Sequence, residues 1–274
     1  MELLIIKAVT AVIIVITLSI IAEKVSAKLS GILSGLPLGT MIVLIFFAIE
    51  YGVDYSVRAS LYNIHGLLAL LSFIIGYYIS TFYKRKFDIF VSIIVSFVFY
   101  LVAAFILAHV PIHVIFTPIA VITIITLTTI YFAKIPDNAK KINTKITLKD
   151  LLVRTVLTVV IFLLVTSIPK IAPVNIAGIF SAFPSMMFPL LLIVHFNHSS
   201  NQARTILKNT PSGLSSIVIF CVTVHFTYPM LGVFLGTLVS FITCVVYIVI
   251  QLKLLDYFGV NVNAKQKKGA FKNS

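Results

Sequence analysis

Long apolar runs broken by short polar segments set the pattern of this chain. They occupy 3–21, 32–49, 62–82, 87–108, 112–132, 151–171, 176–196, 213–226 and 230–254. A helix needs about 20 such residues to cross a hydrocarbon core, so each run predicts one transmembrane helix. The eighth run is short, and its helix is expected to start earlier. Two joins are hidden in continuous apolar sequence. Val110-Pro111 and Tyr228-Pro229 are the expected breaks, because the residue before a proline disfavours helix. Both predict tight hairpins.

Nine spans would use roughly 180 residues, which leaves no second, soluble domain in a chain of 274 residues. The expected units are a first four-helix unit over 1–110, a linker helix and loop over 111–150, a second four-helix unit over 151–254, and a basic tail over 255–274. The first run follows Glu2 rather than a basic stretch and lacks a small-residue cleavage site, so it is expected to remain as a span.

Composition agrees. Of the residues, 60% are hydrophobic and 11% charged, against about 25% charged in a soluble domain. That excludes a soluble enzyme and a disordered chain. The net charge of +13 changes the picture only through its placement. With the N-terminus on one side, that side holds Lys7, Arg58 and Lys170, and the other holds the remaining eighteen of the 21 Lys and Arg. Cytoplasmic loops collect Lys and Arg. The expectation is an all-α, multi-pass protein of the cytoplasmic (inner) membrane, N-terminus out and C-terminus in. Membrane lipids are the expected partners and nucleic acid is not. A homo-oligomer is compatible with the pattern. Cys221 and Cys244 lie in apolar runs and read as buried thiols.

The two ends of the chain repeat one another at an offset of 147 residues. Leu4-Ile5-Ile6-Lys7 matches Leu151-Leu152-Val153-Arg154, and Gly31-Ile32-Leu33-Ser34-Gly35-Leu36-Pro37 matches Gly178-Ile179-Phe180-Ser181-Ala182-Phe183-Pro184. Gly66-Leu67 matches Gly213-Leu214 in the same register, and Arg58 matches Arg204 with a slip of one. Spans one to four thus correspond to spans six to nine. An odd number of helices separates equivalent spans, so the halves insert in opposite orientation, as a 4+1+4 inverted repeat. Inverted repeats are common in secondary transporters.

The segment Ala177-Gly178-Ile179-Phe180-Ser181-Ala182-Phe183-Pro184, followed by His195 and Ala203-Arg204-Thr205-Ile206, resembles the small four-helix GlpM-like inner-membrane proteins. The first half resembles the same unit through Ser30-Gly31-Ile32-Leu33-Ser34-Gly35-Leu36-Pro37-Leu38. Paired four-helix units of this kind are also similar to the drug/metabolite transporter superfamily. That second resemblance implies export or exchange of small organic molecules. The chain departs from the superfamily's usual 5+5 helix count. It also lacks a glutamate early in the first span to match the proton-coupling glutamate of the small multidrug members.

Few residues could carry chemistry. Pro37 and Pro184, read as lying inside helices, would each free the carbonyl four residues back and kink near midplane, lining a substrate path or allowing close packing. Ser34 and Ser181 precede them by three residues and could satisfy freed carbonyls or face a substrate. Lys7 and Arg154 occupy equivalent first turns, where they would bind an anionic group or snorkel to headgroups. Glu50 ends an apolar run and is the coupling candidate, with Arg58 as a partner across a short loop. The pairs His109/His113 and His195/His198 lack nearby Cys or carboxylate, so no metal is expected. Arg204 and Lys208 mark the cytoplasmic side. With no phosphate loop, nucleophile elbow or HExxH, neither enzyme activity nor a cofactor is expected. The expected function is transport of a small organic solute by alternating access. A lipid or polyprenyl-carrier translocase and a membrane scaffold are the alternatives.

Overall fold

The computed structural model describes residues 5–10, 12, 13, 17, 36–83, 88–135, 147–197 and 199–257. Most of the 133–149 loop, the tail beyond Tyr257, Ser34 and His198 lie outside them. Residues 5–10, 12, 13 and 17 are helical. The helices that follow are α1 (Leu38–Tyr51), α2 (Val53–Ser80), α3 (Asp88–Ala108), α4 (Phe116–Ala133), α5 (Leu148–Ser167), α6 (Val174–Ser181), α7 (Met187–Asn197), α8 (Ser200–Asn209) and α9 (Pro211–Tyr257). A 3-10 turn, Ile168–Lys170, extends α5. Among the described residues there is no strand. Five helical stretches are long and apolar enough to cross a membrane: Val53–Ser80, Asp88–Ala108, Phe116–Ala133, Leu148–Lys170 and Ser200–Leu255.

The core is built around α2, which packs against α1, α3, α6 and α9. Its polar residues explain a difference from the sequence expectation. The third span, placed at 62–82, starts instead at Val53. Ser56 and Ser60, which read as loop, are fully buried. Ser56 Oγ donates to Leu44 O at 2.7 Å and Ser60 Oγ to Val57 O at 2.8 Å. A hydroxyl that finds a backbone carbonyl can sit inside a helical bundle. The chain therefore turns from α1 to α2 through Gly52 alone, whose φ of 92° is costly for any residue with a Cβ.

The join at Pro111 falls where expected, between α3 and α4. The second join does not. Pro229 lies within α9, and the non-helical residue is Gly232, at φ 74° and ψ 174°. Proline forbids one hydrogen bond, but only glycine reaches this backbone conformation cheaply. The chain doubles back there. Thr227 Oγ1 lies 3.0 Å from Ser240 Oγ, and Ser215 Oγ donates to Gln251 Oε1 at 2.6 Å. Thirty-six residues of straight helix would span about 54 Å, so α9 is a hairpin of two antiparallel arms.

Local sequence accounts for helix starts. Thr147 caps α5 in a capping box with Asp150: Asp150 N–H donates to Thr147 Oγ1 at 3.2 Å, and Thr147 N–H to Asp150 Oδ2 at 3.1 Å. Large apolar side chains on α3, α4 and the second arm of α9 stay exposed, among them Phe105, Phe116 and Phe234. That is the surface a bilayer would cover.

Candidate functional site

The seventh span, expected as one helix over 176–196, is two. α6 has 8 residues and α7 has 11, about 12 and 16 Å at 1.5 Å per residue. Neither crosses a ~30 Å core alone. Between them Ala182–Met186 is non-helical and Pro184 is buried. This corrects the expectation of a kinked but continuous helix. Pro184 lies in the break, and Pro37 caps the start of α1 rather than interrupting it.

The same geometry occurs twice. Leu38 N–H donates to Leu36 O at 2.9 Å, and Ser185 N–H donates to Phe183 O at 2.7 Å. Met41 N–H donates to Pro37 O at 2.6 Å, and Phe188 N–H to Pro184 O at 2.8 Å. Each second bond is the first shifted by 147. The two segments also touch. A Cβ built on Gly39 would lie 3.0 Å from Ser185 Oγ and 3.7 Å from Met186 Cγ.

Ser181 faces protein. Its hydroxyl donates to Gly178 O at 2.6 Å and accepts from Asn63 Nδ2 at 2.6 Å, while Cys221 Sγ donates to Asn63 Oδ1 at 3.3 Å. Asn63 and Cys221 are fully buried. This node ties α2, α6 and α9 beside the break. The helices meet closely there: a Cβ on Gly66 would fall 2.3 Å from Ile179 O, and one on Gly178 2.5 Å from Tyr62 Cβ. On the other flank the Phe183 ring sits 5.3 Å from Tyr100, 5.6 Å from Phe97 and 6.3 Å from Phe73, centroid to centroid.

The charged candidates lie at the ends of the bundle. Glu50 forms an ion pair with Lys7, not with Arg58 as expected; Lys7 is buried and the Glu50 side chain is 12% exposed. Lys7 Nζ also lies 5.5 Å from the Phe46 ring centroid. Phe46 and Glu50 share one face of α1, because they are four residues apart. Arg154 is buried on α5. Nearby, Asn197 Nδ2 donates to Asp150 Oδ1 at 2.6 Å. Arg204 stacks over Phe82 at 4.3 Å and bonds Asn201, and Lys208 Nζ donates to Ile135 O at 2.9 Å. The structure brings Pro37 and Pro184 together, and Lys7 with Glu50. It leaves Arg154 at the other end of the chain's repeat.

Sequence reasoning named His195 but missed the partners the fold gives it. His195 is buried on α7. Its Nδ1 lies 3.0 Å from Tyr77 Oη on α2, and its Nε2 lies 3.4 Å from Asp88 Oδ2 at the start of α3. The local sequence pairs His195 only with His198, because Tyr77 and Asp88 are more than a hundred residues away. A single acid at the mouth of an apolar run was the one available signal. Among the described residues no cluster of three or more His, Cys, Asp or Glu could hold a metal ion.

Fold and geometry together define a class: a helical membrane protein in which two short helices, α6 and α7, are separated by a buried non-helical segment. No family model, curated protein or solved structure matches the chain.

Proposed function

We propose that this chain is a secondary transporter of a small organic solute, working by alternating access in a cytoplasmic membrane. The observation that carries the reading is the meeting of two proline segments, Pro37 to Gly39 and Pro184 to Met186, with the same backbone hydrogen bonds at equivalent repeat positions. Irregular backbone at membrane depth is tolerated where it is buried in protein or lines a cavity, and broken helices of this kind form the midplane sites of transporters.

The 4+1+4 inverted repeat, with the N-terminus out, is part of this proposal. Helix starts support it: α2 begins at Val53 and α8 at Ser200, 147 residues later. The GlpM-like reading of each half supports it as well. In this arrangement Pro37 and Pro184 flank the substrate path. Ser181 braces the α6 end of the path through Gly178 and Asn63, and Ser34, outside the described residues, is its repeat equivalent in sequence. Lys7 with Glu50 closes the outer end, and Arg154 the inner.

Cysteine accessibility tests the reading. Met186→Cys, reconstituted in vesicles of known orientation, is expected to react with a membrane-impermeant maleimide applied from either side. Cys221 and Cys244 are buried free thiols, so the unsubstituted protein sets the background. Pro184→Ala is expected to slow labelling from one side by about tenfold, as one conformation gains population. A Met186→Cys thiol that reacts from one side only, or from neither, overturns alternating access at this site.

A further inference from the structure

We propose that His195 is a proton-binding site that couples protons to the opening of the Pro184 break, with Asp88 as its relay to water and Tyr77 as its buried partner. This rests on the transport reading above and names the coupling ion for it.

The geometry fits a proton better than any larger ligand. The His195 side chain is 3% exposed and Asp88 is 35% exposed, so one carboxylate joins a buried imidazole to solvent. The ring is hydrogen-bonded by Tyr77 on α2 at Nδ1, and its unpaired Nε2 faces Asp88 on α3 at 3.4 Å. With the ring proton on Nδ1, that N–H donates to Tyr77 Oη and the Nε2 lone pair faces Asp88. The Asp88 carboxylate accepts a proton from hydronium in solvent, releasing water, and then passes it to Nε2. The product is an imidazolium that donates to Tyr77 Oη and to the restored carboxylate. No other atom is exchanged. Histidine suits this work because its charge changes near physiological pH.

The location supplies the coupling. α7 is a short rigid segment with the break at one end and His195 near the other, eight residues from Met187, about 12 Å along the helix. Whatever grips His195 sets where α7 can swing. The other charged groups on elements packed against α7 are Lys149, Asp150 and Arg154 on α5, and Arg204 and Lys208 on α8. Asp150 bonds Thr147 and Asn197, Arg204 stacks on Phe82, Lys208 reaches Ile135, and Arg154 is buried on α5. Tyr77 Oη is hydrogen-bonded to His195 Nδ1, while the buried Nε2 has no hydrogen-bond partner and has Asp88 Oδ2 3.4 Å away.

The test uses the full chain in lipid nanodiscs with ¹⁵N-labelled histidine, titrated from pH 5 to pH 8. The His195 ring signals, identified by their loss in His195→Gln, are expected to change across this range. In Asp88→Asn the ring signals are expected to follow a pH jump about tenfold more slowly, because the relay between solvent and the buried ring is removed. In parallel, Met186→Cys labelling is expected to change about tenfold between the two pH values, and His195→Gln is expected to abolish that change. Tyr77→Phe and Asp88→Asn replace His195→Gln if it does not fold. Ring signals that stay constant through the range overturn the proton site. Labelling that still responds to pH in His195→Gln overturns its coupling role. If Met186→Cys is never labelled at any pH, the transport reading fails, while the ring titration still decides whether His195 takes up a proton.

Discussion

The two proline segments share the same backbone hydrogen bonds, but the charges at matching sequence positions differ. At the 147-residue offset Lys7 corresponds to Arg154 and Glu50 to Asn197. In the first half the cation meets its acid directly, with Lys7 buried and Glu50 largely so. In the second, Asn197 bonds Asp150, one helical turn before Arg154, at an exposed position. The histidine chain has no counterpart at all. His195 corresponds to Ala48, Tyr77 to Val224 and Asp88 to Leu235. Duplicated backbone hydrogen bonds survive such changes because they need only the main chain. A charge pair survives only if both side chains are kept. Segments with the same backbone hydrogen bonds can thus be surrounded by different chemistry.

The largest expected effect breaks the buried pair. Glu50→Ala strands Lys7 in the core and should cost about 3–5 kcal/mol, seen as a large fall in thermal midpoint in detergent. Adding Lys7→Met should recover much of the loss, since no charge is then left unpaired. Full stability of Glu50→Ala alone would mean that the pair contributes nothing.

Gly66→Ala probes the α2–α6 contact beside the break. The added methyl meets Ile179 O and Ala182 Cβ, and overpacking of this kind costs about 1–3 kcal/mol. An unchanged midpoint would show that the two helices can separate without penalty.

Thr147→Ala removes the capping box of α5 and should cost about 1 kcal/mol. A guanidinium or thermal melt should register it, and no change would assign the start of α5 to packing alone. Asn197→Ala should have the smallest effect, about 1 kcal/mol or less, because it removes one exposed hydrogen bond. A loss as large as that of Glu50→Ala would erase the contrast between the halves.

Much of this was legible in the sequence, and the exceptions share a cause. The apolar runs marked where helices lie, the 147-residue repeat marked the two proline segments, and Pro111 marked a real turn. Ser56 and Ser60 were misread because a serine looks polar in sequence yet satisfies itself on a neighbouring carbonyl. Pro229 was misread because proline announces a lost hydrogen bond, whereas reversal at Gly232 depends on a positive φ that composition does not display. Glu50 was assigned the nearest cation in sequence, Arg58, while its partner lies on another helix.

The chain's residue pattern alone determined that this protein is helical and suited to a bilayer, since burying unpaired backbone in lipid costs too much for other solutions. It also determined that two segments must share one local geometry, because each carries the same glycine and proline spacing. The tertiary structure decided which side chains meet. Only folding brings Gly39 against Ser185, Lys7 against Glu50, and His195 between Tyr77 and Asp88. Those contacts cross scores of residues, and their strength depends on distance and exclusion of water, which no linear spacing encodes.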